Sequence, residues 1–209
     1  MTGEMKIGLD DAYGLSTPDD SRRLYRDWAG SYDESFVKAH GYVYHQEIAA
    51  LFARLGGRGP TLDVGCGTGV VGRVLTASPV DGLDISPEML EAARAKGCYR
   101  ELIEADLTAT LPMPDGAYQG LISAGTFTEG HVGADALDEL IRVAAPGALF
   151  VLGVNQRVYE ELGFPAALAR HAAAGAIEPA RFETGRIYAK GAGHEHEDEH
   201  FLAAVFKRL

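Results

Sequence analysis

A short apolar run ending in three glycines at alternate positions constrains this chain more than any other feature. Leu62-Asp63-Val64-Gly65-Cys66-Gly67-Thr68-Gly69 reads as a strand, a glycine turn and the start of a helix over residues 70–75. Glycine is needed where a backbone turns sharply and a ligand lies against it. Strands and helices alternate from there onward. Residues 80–85 read as a second strand, and Ser86-Pro87-Glu88 caps and opens a helix to about Lys96. Residues 99–105 and 118–123 read as the third and fourth strands. Leu137, Leu140, Ile141 and Ala144 form a helical stripe over 134–144, which Pro146-Gly147 should stop. Residues 148–154 are almost wholly apolar, as in a strand covered on both faces. Residues 165–175 then predict a helix, and 181–189 and 201–208 a closing pair of strands. Single helices between strands predict a parallel sheet with right-handed crossovers.

Upstream of the glycine turn the chain is helical in pattern. Residues 1–16 read as a loose lead-in. Thr17-Pro18-Asp19-Asp20 suits a helix start, with Leu24 and Trp28 four apart behind it. A second helical stretch runs over 43–55 and ends at Gly56-Gly57. Residues 1–56 are therefore expected to form a lead-in and helical cover, and 57–209 the ligand-binding body of the same domain.

Composition excludes several classes. The 209 residues suffice for one α/β domain, and 46% apolar with 23% charged residues is an ordinary globular balance. Nineteen basic residues against 30 acidic ones leave a formal charge of −11, which argues against a nucleic-acid substrate. No apolar stretch approaches the roughly 18 residues of a membrane span, and MTGEMKIGLDDAYG does not read as a secretory signal. Cys66 and Cys98 form no CxxC pair and read as reduced thiols of a cytoplasmic protein.

The glycines alone leave the ligand open, because Gly67, Gly69 and Gly72 also satisfy the GxGxxG pattern of dinucleotide enzymes. Three acids break the tie. Asp63, two residues before Gly65, can accept from the ammonium of an amino-acid moiety but would repel a pyrophosphate. Asp84, ending the second strand, can take both hydroxyls of a ribose. Asp106, ending the third in Glu104-Ala105-Asp106-Leu107, can accept from an exocyclic adenine amine. Each acid alone is as easily a strand-end residue. Together, at the carboxyl ends of successive strands, they line the crevice where open α/β sheets bind ligands, and describe S-adenosylmethionine.

At these residues the chain resembles class I S-adenosylmethionine-dependent methyltransferases. LDVGCGTG is similar to their first motif, GLDISPEML to their second and EADL to their third. The segment Ile122-Ser123-Ala124-Gly125-Thr126-Phe127-Thr128-Glu129-Gly130-His131-Val132 is similar to one subgroup, the methyltransferase-like proteins named after the Williams–Beuren syndrome region. The resemblance implies a Rossmann-like α/β fold. Its sheet has seven mostly parallel strands in the order 3-2-1-4-5-7-6, with strand 7 antiparallel and helices on both faces. It implies Asp63, Gly65, Cys66, Gly67 and Gly69 for the methionine end of the cofactor. Asp84, Ile85 and Met89 would serve ribose and adenine, Ala105, Asp106 and Leu107 adenine, and Ser123 the close of the site. Trp28-Ala29-Gly30-Ser31-Tyr32-Asp33 resembles a WAxxYD element that covers the cofactor, with Tyr32 against it. Core packing is an equally good account of Trp28 and Tyr25.

Methyl transfer from a sulfonium leans on alignment and exclusion of water, and needs a base only if the acceptor must lose a proton. Glu129 and His131, after the fourth strand, are the candidates for a base or acceptor anchor. The plainer account makes them turn residues. His40, Tyr42 and His45 are weaker candidates for acceptor contact. The run His194-Glu195-His196-Glu197-Asp198-Glu199-His200 would put His194, His196, Asp198 and His200 on one face if extended. A solvated turn is the preferred reading, and no metal is expected.

The function expected is transfer of a methyl group from S-adenosylmethionine to a small-molecule acceptor, leaving S-adenosylhomocysteine. The alternatives are an NAD-dependent oxidoreductase and a cofactor-binding module without turnover. The acceptor, its reacting atom and the choice of monomer or homodimer stay open.

Overall fold

The computed structural model describes residues 24, 26, 28–75, 79–129 and 132–209. The helix start at residues 17–20, Tyr25 and His131 lie outside them. Seven strands form one sheet: β1 Thr61–Val64, β2 Val80–Asp84, β3 Glu101–Glu104, β4 Tyr118–Phe127, β5 Ala144–Asn155, β6 Arg181–Arg186 and β7 His200–Lys207. Their order is β3-β2-β1-β4-β5-β7-β6. Neighbours from β3 to β5 pair in parallel, and β7 runs antiparallel to both β5 and β6. This is the order and the single reversed strand that the resemblance implies.

The period of two in the strands splits the core into two layers. Leu121, Phe150, Leu152, Ala204 and Phe206 face one layer, with Leu137, Leu140 and Phe164. Ile122, Leu149, Val151, Ala203 and Val205 face the other, with Ile48, Phe52 and Trp28. Helix α1, Tyr44–Arg54, covers the second face, burying Tyr44, His45, Ile48, Ala49, Leu51 and Phe52 along one stripe. Helix α2, Pro87–Lys96, begins as its sequence predicts. Ser86 Oγ accepts from the Met89 N–H at 3.2 Å, Pro87 opens the first turn, and Gly97 ends it. Helices α3, Leu137–Val143, and α4, Phe164–Ala173, bury their apolar residues in the first layer.

Three local expectations are corrected. Residues 70–75 form successive turns, not a regular helix. The Gly72 N–H donates to the Tyr99 hydroxyl at 3.2 Å, and the Thr68 carbonyl, its acceptor in a helix, is taken by Lys96 Nζ. Strand β3 starts at Glu101 because Tyr99 turns inward instead of joining the ladder. Strand β5 begins straight after α3 at Ala144, and Pro146-Gly147, both exposed, sit within it. The ladder shifts register there, between Tyr118↔Ala144 and Gly120↔Leu149. Residues 194–198 fold as bends and turns, the reading preferred from the sequence, and not as an extended strand.

Candidate cofactor and acceptor site

The carboxyl ends of β1, β2, β3 and β4 open into one cavity. Its wall includes Gly65, Cys66, Gly67 and Thr68 after β1, and Asp84, Ile85 and Met89 after β2. It continues through Ala105, Asp106 and Leu107 after β3 and residues 124–126 of β4, closed by Tyr32 and Tyr42 from the N-terminal segment. Three of the motif's residues are not on this wall: Asp63, Gly69 and Ser123.

Gly65 (φ +68°) makes the turn out of β1, and a Cβ there would overlap the Thr126 side chain. Thr126 cannot easily yield, because its hydroxyl donates to the Val64 carbonyl at 2.8 Å. Gly67 is different: nothing lies within 4 Å of where its Cβ would stand. The cavity wall is therefore bare backbone at this point, as a cradle for a bound group requires.

Asp84 is held rigidly at the mouth of β2. Its Oδ2 accepts from the Gly67 N–H at 2.8 Å and its Oδ1 from the Ser86 N–H at 2.9 Å. Burial pushes its carboxyl up, and the Ser86, Gly67 and Ile85 amides oppose that shift. Asp106 Oδ1 accepts from the Thr108 N–H at 2.8 Å and hydroxyl at 2.7 Å, which pins the carboxylate on the wall below β3.

Asp63 points the other way. Its Oδ2 accepts from the Tyr99 hydroxyl at 2.6 Å beneath the loop, and Oδ1 is buried with no partner. The Tyr99 ring also explains two glycines. A Cβ on Gly69 would stand 2.9 Å from it, and one on Gly72 would overlap it. Gly69 thus serves the packing of Tyr99 under the loop. Ser123 is likewise structural: its buried hydroxyl donates to the Val64 carbonyl at 2.8 Å, tying β4 to β1.

Burial pushes the Asp63 carboxyl up to about 7; the Tyr99 hydrogen bond lowers it and the Asp84 charge raises it further. A carboxyl so raised keeps its proton longer in the folded chain than in the unfolded one. Its contribution to stability is complete below the unfolded carboxylate range and is lost as pH rises toward about 7. Asp63→Asn, which cannot ionise, is therefore expected to gain in melting temperature over the unaltered protein between about pH 5 and about pH 8. Thermal melts of the two proteins without ligand, showing a difference that does not grow with pH, would sink this account.

The N-terminal segment is fastened at both ends. Asp33 Oδ1 accepts from the Thr68 hydroxyl at 2.6 Å, and Oδ2 pairs with Lys96 Nζ at 2.6 Å. Burial raises the Asp33 carboxyl, but the Lys96 and Thr68 hydrogen bonds outweigh it and hold the group below its usual range. At the other end, Val43 N–H and Tyr44 N–H donate to the Ile187 carbonyl, and Tyr42 bridges to Tyr188. Trp28 packs edge-on to Tyr32 and Phe36 at 5.0 and 5.2 Å and is 1% exposed, so it belongs to the core and not to the wall. Tyr32, stacked on Phe36 at 5.0 Å, does reach the cavity.

Asp33 was not singled out beyond its motif, yet it joins that segment to the glycine loop. Asp33→Asn is expected to weaken ligand binding only a few-fold, since a half-exposed ion pair contributes about 1 kcal/mol. It should also speed amide exchange over residues 28–38. Exchange and affinity both unchanged would show that the link carries no load.

Glu129 follows β4 but does not line the cavity. Tyr42 does, whereas His45 sits behind its ring, stacked at 5.8 Å, and burial pushes the His45 pKa down. His40 lies against His194, at 5.5 Å between ring centroids. Among the described residues no group of three or more His, Cys, Asp or Glu side chains is placed to hold a metal ion. Val70, Val71, Leu83 and Val132 complete the wall, and three-dimensional proximity assigns them to it.

Fold and site together define a Rossmann-like S-adenosylmethionine-dependent methyltransferase architecture. Residues 62–152 match the methyltransferase-domain family. The chain is 33% identical to human methyltransferase-like protein 27 over 158 residues, covering 71% of the chain and 63% of that protein. It is 38% identical over 99 residues to demethylmenaquinone methyltransferase of Thermus thermophilus, covering 44% of each. The chain thus spans less than two thirds of these relatives. A methyltransferase structure from Aquifex aeolicus superposes with a TM-score of 0.60 at 18% identity, covering 87% of this chain and 98% of its own. The cofactor implied by the fold and the family is S-adenosylmethionine. The residues fit it: a side-chain-free cradle at Gly67 and two fixed carboxylates, Asp84 and Asp106, stand on one wall. No helix among the described residues is long and apolar enough to cross a membrane.

Proposed function

We propose that this protein transfers a methyl group from S-adenosylmethionine to a small-molecule acceptor by in-line displacement. The observation that carries the reading is the convergence of Gly67, Asp84 and Asp106, from three successive strand ends, on one cavity. In this reading the bare backbone of residues 65–68 receives the methionine end. Asp84 takes the ribose hydroxyls, Ile85 and Met89 flank the base, and residues 105–107 hold the adenine edge. Residues 57–209 form the cofactor-binding body, and residues 1–56 its lead-in and cover. When bound, the cofactor supplies an activated methyl on a cationic sulfur. The protein's own part is to orient it, exclude water and present the acceptor. Asp63 supports the loop from beneath in this scheme. Glu129, off the wall, is not needed as a base.

One observation weighs against a dinucleotide. In dinucleotide sites the glycine turn leads into a helix whose N-terminus receives the pyrophosphate. Here residues 70–75 form turns and no regular helix. The 33% identity to methyltransferase-like protein 27, with the segment 122–132, supports the narrower placement in the Williams–Beuren region subgroup. Two unpaired thiols, Cys66 and Cys98, fit a cytoplasmic setting. Calorimetric titration with S-adenosylmethionine, S-adenosylhomocysteine and NAD tests the proposal. The first two are expected to bind and NAD to fail; NAD binding alone would overturn it.

A further inference from the structure

The wall opposite the nucleoside carboxylates is built by an irregularity in β4. The ladder to β5 is regular from Gly120↔Leu149 to Ser123↔Leu152, and then Phe127 pairs with Val154. Four residues of β4 advance against two of β5, so residues 124–126 arch out of the sheet, with Gly125 at φ +84°. Such bulges redirect side chains beside binding sites. All three arch residues line the cavity. Thr126 has its hydroxyl proton committed to the Val64 carbonyl. The Tyr42 oxygen stands 3.0 Å from where a Gly125 Cβ would be. The Tyr42 ring is gripped from behind: it lies 5.3 Å from Phe36 and 5.9 Å from Tyr188, besides the stacked His45. Tyr32 joins it from the same segment.

The charge lining the cavity has one sign, and it stands on the nucleoside side. Among the described residues lining the cavity, Asp84 and Asp106 are charged, and none is Lys, Arg or His. The nearby Lys96 is committed to Asp33 and to the Thr68 carbonyl. His45, behind the Tyr42 ring, is held toward its neutral form by burial. A carboxylate or phosphate brought against the arch would lose its water and meet no basic side chain among the described residues that line the cavity, which is costly. A ring face, by contrast, accepts an apolar or cationic group.

We propose that the β4 arch, with Tyr42 and Tyr32, forms the acceptor wall, and that it admits an acceptor with no anionic group, its planar apolar body laid against the two phenol rings. This rests on the methyltransferase reading. The test uses protein saturated with S-adenosylhomocysteine and three probes sharing one ring: phenol, benzylamine and benzoate, followed by NMR titration. Phenol and benzylamine are expected to bind, and benzoate about tenfold more weakly or not at all. Tyr42→Ala should weaken phenol binding about fivefold while the affinity for S-adenosylhomocysteine stays within about a factor of two. Tyr42→Phe, which keeps the ring, should retain benzylamine binding. Benzoate binding as tightly as benzylamine overturns the proposal, and that comparison needs no variant. So does failure of both phenol and benzylamine to bind, or a Tyr42→Ala protein with unchanged probe affinities. Failure to bind S-adenosylhomocysteine at all overturns the methyltransferase reading and this inference with it.

Discussion

Asp84→Ala is expected to weaken S-adenosylmethionine binding by about ten- to a hundredfold, the range corresponding to roughly 1.5–3 kcal/mol for a charge-assisted hydrogen bond. Two effects act together. The ribose hydroxyls lose their acceptor, and the Gly67 and Ser86 amides lose the carboxylate that holds them at 2.8 and 2.9 Å. Gly67 is where the wall is bare, so loosening its amide disturbs the cradle itself. Isothermal titration of a variant shown to be folded by circular dichroism decides the matter. Unchanged affinity would remove Asp84 from the ribose role.

Gly65→Ala is expected to cost about 3 kcal/mol of stability and to abolish measurable cofactor binding. Left-handed backbone in a residue with a side chain costs on the order of 1–3 kcal/mol, and forcing an extra carbon into a packed site a similar amount. The overlap is with Thr126, whose hydroxyl is anchored on Val64. The two contributions are separable. Adding Thr126→Ala to Gly65→Ala removes the two nearest Thr126 atoms but leaves its Cβ at 2.9 Å, so it should recover part of the packing cost and leave the backbone part, a coupling that denaturant titration of the single and double variants measures directly. Strict additivity would show that the contact with Thr126 is not what demands glycine at 65.

Short-range patterns made most of the fold legible. Ser86-Pro87 with Gly97 delimits α2 by capping alone, and the apolar run 148–154 marks the most buried part of β5. Asp84 and Asp106 were readable as wall residues because a side chain at a strand's carboxyl end has few places to go. Asp63 and Gly69 show where that logic stops. Both belong to the glycine motif, yet their surroundings are set by Tyr99, which arrives from beyond α2 and takes the Asp63 carboxylate and the space over Gly69. The same hydroxyl, with Lys96, removes the hydrogen bond that a helix at 70–75 would have used. Tyr42 and Gly125 meet across more than eighty positions of sequence, and no local period records that. The arch in β4 is equally silent: the sequence ends the fourth strand at Ser123, and nothing local shows that pairing resumes at Phe127.

The position of β7 bears on how the molecule comes into being. It is the last of the seven strands to be synthesised, yet it lies inside the sheet, between β5 and β6. Until it arrives, the row of amides and carbonyls along Leu149 to Asn155 has no neighbour on that side, and β6 has no sheet to join. An unpaired apolar edge of that length is a template for the wrong partner. The nucleoside half of the cavity draws on residues 65–107 and is already out of the ribosome by then. The hairpin that grips Tyr42 through Tyr188 is not. A nascent chain therefore completes the proposed cofactor half of the cavity well before the proposed acceptor half, and passes the interval with its stickiest edge uncovered.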